Sequence, residues 1–231
     1  QSGESVRKEI LVQEAVTHSI PSEQIVVLGS EALALWCNEH PAIAARWALG
    51  LDGLIVFGVW ETQRIHSALW QSNDAVRAKL AEFQRNLDFT DGTLLHLHIQ
   101  GPPGVGKTRF ALELCRSAPW RGAVVYVSQA QEVKLLELIN AASADKGAQL
   151  MIVADEVQFP QLAVLRDSLD NGDGRIRLIT IGHSISPNPV LSPSYEVGPL
   201  DKSSMAEVVK GWHPGMPYEH VEFVVRLADG F

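Results

Sequence analysis

The sequence feature that most constrains the fold is a glycine-rich octapeptide, GPPGVGKT, at residues 101–108. It satisfies the pattern G-x-x-x-x-G-K-[ST] in full. The apolar run TLLHLHIQ before it has the pattern of a strand, and the run KTRFALELC that overlaps its end has the pattern of a helix. Because this strand, loop and helix form a unit of α/β folds, we predict a parallel sheet flanked by helices.

The octapeptide has the chemistry of a phosphate-binding loop. Its glycines let backbone N–H groups turn towards phosphate oxygens, and the N-terminus of the following helix adds partial positive charge. Lys107 supplies a full positive charge for the β- and γ-phosphates, and the Thr108 hydroxyl can bind Mg²⁺. We therefore predict ATP or ADP and Mg²⁺ as cofactors. The predicted nucleotide-binding residues are Gly101, Pro102, Pro103, Gly104, Val105, Gly106, Lys107, Thr108 and Arg109.

A second strand pattern, LMIVADE, ends in two acids, Asp155 and Glu156. Carboxylates at the end of a buried strand indicate a functional site there, although a solvated strand end remains the alternative. With Thr108, Asp155 is predicted to hold Mg²⁺ through water. Glu156 is predicted to deprotonate the attacking water, with Lys107 as a second catalytic residue. Glu156 favours hydrolysis over transfer of the phosphoryl group to a metabolite. A metabolite kinase needs a site for its acceptor more than it needs an acid that activates water.

The hydrophobic pattern changes near DFTDG, where strand runs begin to alternate with helical runs. We predict three regions: a mostly helical N-terminal region at 1–88, an ATPase core at 89–200, and the beginning of a helical lid at 201–231. Elements predicted for the first region are a helix over 4–18, a strand at 25–29, helices beginning at Ser30 and Pro41, a helix over 60–70, and a helix capped by Asn73.

Composition limits the class of protein. Of 231 residues, 46% are hydrophobic and 20% charged, which is typical of a globular chain. The formal net charge of −8 excludes a global basic field for nucleic acid, while a local basic patch stays open. No apolar run is long enough to span a membrane and no signal peptide is visible, so we expect a cytoplasmic protein. The chain starts without Met and ends within a helical pattern, which leads us to expect a fragment.

The segment from about Leu94 to Phe231 resembles the AAA+/STAND branch of P-loop ATPases. GPPGVGKT resembles the Walker A motif of that group, and LMIVADE resembles its Walker B motif. IRLITIGHS is similar to its sensor-1 strand, and the sensor-1 residue, which is catalytic in this group, falls on His183 or Ser184. YEVGPLDKSSMAEVV resembles the entry into the helical lid of STAND and origin-recognition ATPases.

The resemblance implies a signalling switch. ATP with Mg²⁺ would close the lid, hydrolysis at Glu156 would reopen it, and the ATP-bound form would self-associate. Bacterial STAND proteins include antiphage defence sensors, and they join an effector domain and a repeat sensor to this ATPase. Those domains would lie outside the fragment. Two alternatives remain: a DNA-handling ATPase of the origin-recognition or transposition type, which the acidic charge disfavours, and a scaffold that binds nucleotide without hydrolysing it.

Several polar residues allow two interpretations. His96 and His98 share a strand face, which favours packing over a metal site because no third ligand is near. Arg175 and Arg177 begin the sensor-1-like strand, so a structural role is favoured over an arginine finger. Arg109 could contact nucleotide or a neighbouring subunit, or face solvent. The tryptophans of the N-terminal region indicate a helical core or a face packed on the ATPase: Trp36, Trp47, Trp60 and Trp70.

Overall fold

A six-stranded sheet lies at the centre of residues 40–231. The computed structural model describes residues 3–18, 21, 29–48, 53–63, 70, 72–129, 132–144, 149–169, 173–182 and 193–228. The chain divides into two compact units, residues 1–39 and 40–231. The smaller unit contains helices α1 (Gly3–Thr17) and α2 (Ser30–Glu39).

The larger unit alternates strands and helices, as the sequence predicts. Its helices are α3 (Pro41–Ala48), α4 (Phe57–Glu61), α5 (Asp74–Asn86), α6 (Lys107–Arg116), α7 (Glu132–Ala144), α8 (Phe159–Leu169), α9 (Lys202–Trp212) and α10 (Tyr218–Ala228). Its strands are β1 (Ile55–Val56), β2 (His96–Gln100), β3 (Val124–Val127), β4 (Leu150–Ala154), β5 (Ile176–Ile181) and β6 (Ser194–Glu196).

The sheet has the order β1-β3-β4-β5-β2-β6. All neighbouring strands pair in parallel except β1, a two-residue edge strand that pairs antiparallel with β3. The predicted α/β class is therefore confirmed. β5 lies between β2, which enters the glycine-rich loop, and β4, which ends before the acidic pair. Because these strands are parallel, the loop and the acids meet at the same edge of the sheet.

Two apolar cores cover the two faces of the sheet. One contains Leu97 of β2 and Val153 of β4 with buried residues of α4, α5 and α6. The other contains Val125 of β3 and Ile152 of β4 with buried residues of α7 and α8. Every residue of β3, β4 and β5 is buried, which explains why β3 and β4 have no alternation of apolar and polar residues; β5 buries two polar residues, Arg177 and Thr180.

Helix α5 confirms its sequence prediction in detail. The Asn73 side chain accepts a hydrogen bond from the Val76 N–H at 2.9 Å, so it caps the first turn. Leu80, Phe83 and Leu87 are buried in the core that α6 also enters. Helices α4 and α5, which the sequence assigns to the N-terminal region, thus share a core with the phosphate-loop helix.

The predicted helix over 60–70 is wrong at its start. α4 begins at Phe57 and its last residue is Glu61. Phe57 and Trp60 are one helical turn apart and are both buried in the core. The helix begins at Phe57 because this places both side chains on the face that packs there. The Thr62 hydroxyl donates to the Val59 carbonyl at 3.0 Å at the helix end. Residues 64–69 and most of the predicted strand at 25–29 lie outside the described residues.

The two cysteines do not form a disulfide. Cys37 and Cys115 are both free thiols, and burial inside α6 raises the pKa of Cys115. A buried neutral thiol packs as a small apolar side chain. Within the described ranges, none of the helices has the length and apolar character required to cross a membrane.

Candidate nucleotide-binding site

The glycine-rich loop joins β2 to α6 and needs glycine at defined positions. Gly104 and Gly106 have φ angles of 78° and 98°, in the left-handed region. At Gly101, with φ of 148°, a Cβ atom would lie 2.7 Å from the Val197 carbonyl oxygen. A side chain there would clash with the segment after β6, so the loop shape follows from its glycines.

Lys107 is the first residue of α6, and its side chain folds back over the loop. Its Nζ donates to the carbonyl oxygens of Gly101 at 2.9 Å and Pro102 at 2.8 Å. Burial lowers the pKa of Lys107, and the negative charge of Asp155 opposes that shift. The ammonium group is therefore held inside the curve of the loop, where phosphate oxygens would be bound.

Thr108 and Asp155 meet across the gap between α6 and β4. The Thr108 hydroxyl donates to Asp155 Oδ2 at 2.7 Å. The same carboxylate accepts at Oδ1 from the Glu156 N–H at 2.9 Å. The sequence predicts that these two residues share a metal ion, and the structure places them in direct contact.

This pair of oxygens fits Mg²⁺. Mg²⁺ prefers hard oxygen ligands at about 2.0–2.1 Å in octahedral geometry, which puts neighbouring ligand oxygens about 2.9 Å apart. The Thr108 and Asp155 oxygens are already at nearly that separation. The two side chains could hold the ion directly or through its water, and the loop could hold the phosphates that complete its shell.

Glu156 follows Asp155 in an unusual backbone conformation. Its φ angle is 60°, in the left-handed region, which costs roughly 1–2 kcal/mol for a residue with a Cβ. Its side chain is exposed. The Glu156 N–H stays bonded to Asp155 Oδ1 in this conformation. A strained residue with an exposed acid at a strand tip is consistent with a functional role.

Tyr126 is the site residue that the sequence prediction missed. It lies on β3 opposite Val153 of β4, and its hydroxyl donates to Asp155 Oδ2 at 3.0 Å. Burial, and after it the charge of Asp155, raises the pKa of Tyr126, which keeps the proton on the hydroxyl. One signal was present in the sequence: Tyr126 is the residue with a polar group in the otherwise aliphatic strand VVYV.

Arg109 is paired along its own helix. Its Nε donates to Glu113 Oε1 at 2.8 Å, and its guanidinium lies 6.0 Å from the centre of the Trp70 ring. Glu113 also pairs with Arg116, which in turn pairs with Glu61 of α4. These contacts hold the Arg109 side chain against α6. Its contact with a nucleotide stays a prediction.

The two strand histidines pack as predicted. His96 Nε2 and His98 Nδ1 each lie 2.8 Å from Thr180 Oγ1 on β5. A hydroxyl can donate to one ring and accept from the other, so the three groups satisfy each other. Burial, the charge of His98 and that of Arg166 lower the pKa of His96 to about 3. Among the described residues there is no group of three or more His, Cys, Asp or Glu side chains that could hold a metal.

Arg177 has the structural role that its position predicts. Its Nη1 donates to the Leu94 carbonyl, and its Nη2 donates to the Gly92 carbonyl at 3.0 Å. The guanidinium also lies 5.6 Å from the centre of the Phe89 ring. These contacts fix the segment between α5 and β2. His183 and Ser184, the predicted sensor-1 residues, lie outside the described residues.

Strand order, loop and acidic tip together decide the fold class. The fold is an α/β fold in which the glycine-rich loop and the acidic strand tip meet at one end of a mostly parallel sheet. This α/β arrangement is the one that the resemblance read from GPPGVGKT and LMIVADE predicts. The residue roles within the site remain predictions.

The chain is similar to solved structures at low sequence identity. No family model and no curated protein matches the chain. The solved structure of C. elegans PCH-2 is 16% identical, with a TM-score of 0.46, over 69% of this chain and 52% of that one. The Pyrococcus horikoshii Signal Transduction ATPase with Numerous Domains (STAND) protein, which has a tetratricopeptide repeat sensor, is 14% identical. Its TM-score is 0.45, over 71% of this chain and 29% of that one. The chain thus spans about half of the first structure and less than a third of the second.

Proposed function

We propose that this chain is the Mg²⁺-dependent ATP-binding and ATP-hydrolysing module of a larger cytoplasmic signalling protein of STAND type. Its nucleotide state would control a helical lid and self-association, with antiphage defence as the setting. The observation that carries the proposal is the hydrogen bond between Thr108 and Asp155 beside the Lys107 loop. It joins the phosphate-binding and metal-binding halves of one site.

Each residue of the site has a distinct task in this proposal. The N–H groups of the loop and the Lys107 ammonium bind the phosphates, while Thr108 and Asp155 hold the metal. The Glu156 carboxylate orients a water molecule and takes its proton. Bound Mg²⁺ would neutralise charge on the phosphate oxygens. The exposure of Glu156 and its left-handed backbone conformation support its assignment as the base.

Helices α9 and α10 are the proposed lid. Asp201 caps α9 by accepting from the Ser204 N–H at 2.9 Å, and bonds from Ser203 and Ser204 lower the pKa of Asp201 to about 2. Val221 and Val225 of α10 are buried, but the same hairpin exposes several large apolar side chains: Trp212, Tyr218, Phe223 and Leu227. An apolar surface of this kind supports packing against a further element or a second copy.

The test of hydrolysis is Glu156→Gln in the 231-residue chain. This substitution keeps the size of the side chain and removes the base. We expect ATP affinity to stay within about twofold, while phosphate release falls by about 100-fold or more. Glu196→Gln is the matched control, because Glu196 is an exposed glutamate near the end of β6 in the same sheet.

Two outcomes would contradict the proposal. Equal phosphate release by Glu156→Gln and wild type would remove Glu156 as the base. ATP binding without phosphate release in the wild type would identify the chain as a non-hydrolysing scaffold. Salt-sensitive DNA binding would instead favour the DNA-handling alternative.

Self-association is tested separately by light scattering after size exclusion. The Glu156→Gln variant should accumulate the ATP-bound form, so we expect a larger species with ATP than with ADP. Identical masses in both nucleotides would reject the coupling of ATP to assembly for this chain, without affecting hydrolysis.

A further inference from the structure

Two hydroxyl groups bind the Asp155 carboxylate, and one of them comes from a residue outside the GPPGVGKT and LMIVADE motifs. On one side is the Thr108 hydroxyl from α6, and on the other is the Tyr126 hydroxyl from β3. Both donate to the same oxygen, Oδ2, at 2.7 Å and 3.0 Å. The Glu156 N–H holds Oδ1. Three donors from three segments therefore fix the plane of the carboxylate.

Tyr126 is itself held in place by α4. Its ring stacks on the Trp60 ring with centroids 4.3 Å apart and an angle of 5° between the planes. Trp60 is fully buried and also meets Phe57 edge to face at 5.9 Å. A stacked, buried ring cannot swing, so the Tyr126 hydroxyl stays aimed at the Asp155 carboxylate.

Ion pairs anchor α4 independently of this stack. Glu61 pairs with Arg116 of α6 at 3.0 Å and with Arg121 at 2.6 Å. The Arg121 guanidinium also lies 4.8 Å from the centre of the Phe57 ring. This short helix is thus tied both to β3, through Trp60, and to the phosphate-loop helix, through Glu61.

We propose that Tyr126 is the positioning residue for the metal-binding carboxylate of Asp155, and that Trp60 of α4 keeps Tyr126 in position. The proposal rests on the proposed Mg²⁺ site. Residues that hydrogen-bond to a metal-binding carboxylate orient it, and their loss typically weakens metal binding by about 10–100-fold.

The test measures Mg²⁺ affinity rather than turnover. A non-hydrolysable ATP analogue is titrated in EDTA and then at increasing Mg²⁺, and the Mg²⁺ concentration that gives half of the affinity gain is recorded. Tyr126→Phe keeps the stacked ring and removes only the hydroxyl. We expect this midpoint to rise about tenfold, with binding in EDTA unchanged.

Two controls separate positioning from general damage. Tyr195→Phe removes a hydroxyl from the same core, since Tyr195 packs on Phe110 and Phe83, and it should leave the midpoint unchanged. Trp60→Leu removes the stacking partner but keeps an apolar side chain. It should raise the midpoint by about threefold, because the Tyr126 hydroxyl is then less well aimed.

A double mutant identifies Asp155 as the route of the effect. In an Asp155→Asn background, adding Tyr126→Phe should shift the midpoint no further, since the carboxylate that Tyr126 orients is already gone. A wild-type midpoint in Tyr126→Phe, an equal shift in Tyr195→Phe, or additive shifts in the double mutant would overturn this proposal. If Asp155→Asn alone leaves the Mg²⁺ dependence intact, the proposed metal site itself fails.

Discussion

Two polar clusters, one half-buried at the carboxyl end of the sheet and one fully buried inside it, differ in chemistry. Each is centred on a threonine hydroxyl: Thr108 with Asp155 at the carboxyl edge, and Thr180 with His96 and His98 inside the sheet. The first cluster contains charged groups beside an exposed acid. The second contains two buried histidine rings that each bond to the Thr180 hydroxyl.

Charge and burial distinguish a ligand-binding cluster from one that only packs. Burying a charge is unfavourable unless something uses or pairs it, so Lys107 and Asp155 at an open sheet edge indicate a ligand. A buried cluster such as the one around Thr180, whose two rings share one hydroxyl, needs no ligand. Substitutions at the edge should therefore change binding and turnover, and substitutions inside should change stability.

Lys107→Ala should give the largest effect. It removes the charged hydrogen bonds that the ammonium would make to phosphate, so we expect ATP affinity to fall by about two orders of magnitude. The free energy of unfolding should fall by only about 1 kcal/mol, because the loss of the hydrogen bonds from Nζ to the Gly101 and Pro102 carbonyls is offset by the loss of a buried charge. Calorimetric ATP titration and urea unfolding measure the two quantities.

Lys79→Ala is the control for that variant. Lys79 pairs with Glu82 on α5 and should not alter ATP affinity. Wild-type ATP affinity in Lys107→Ala would mean that the cluster around Thr108 and Asp155 does not bind the nucleotide. The proposed difference from the Thr180 cluster would then be wrong.

Thr180→Val should lower stability and leave turnover unchanged. The substitution keeps the shape of the side chain and leaves His96 and His98 without their shared hydroxyl. We expect the free energy of unfolding to fall by about 2 kcal/mol, with phosphate release per folded molecule within twofold of wild type. Thr62→Val, at an exposed threonine, should change stability by less than about 0.5 kcal/mol. Loss of turnover at unchanged stability would place Thr180 in the catalytic site instead.

His96 gives the smallest effect, and it depends on pH. Its pKa is about 3 in the folded chain against 6.5 for the free group, so the unfolded state binds more protons between these values. The stability that His96 contributes is present above pH 6.5 and is lost as the pH falls towards 3. Between pH 7 and pH 5 this loss should be about 1–2 kcal/mol.

His96→Gln should reduce the pH dependence by that amount. Urea unfolding at both pH values measures it, and His220→Gln, at an exposed histidine on α10, is the control that should keep the wild-type slope. An unchanged slope in His96→Gln would mean that His96 is protonated in the folded chain and that the inner cluster is charged.

Local signals in the sequence predicted most of the edge cluster. The bounds of α6, the Asn73 cap and the carboxyl-end position of Asp155 all depend on residues near each other in the chain. Tyr126 and α4 could not be predicted in this way. The contact of Tyr126 with Asp155 depends on how β3 pairs with β4, and the start of α4 depends on the core that receives Phe57 and Trp60. Such contacts between distant segments leave little trace in a local pattern.

The most direct test of the central claim is phosphate release by the wild-type chain at saturating ATP as Mg²⁺ is added back to an EDTA-treated sample. Because Thr108, Asp155 and Glu156 are assigned to one metal-dependent hydrolytic site, the account predicts no release in EDTA and a saturable rise with Mg²⁺. Release that is equal in EDTA and in Mg²⁺, or ATP binding with no release at any Mg²⁺ concentration, would contradict it.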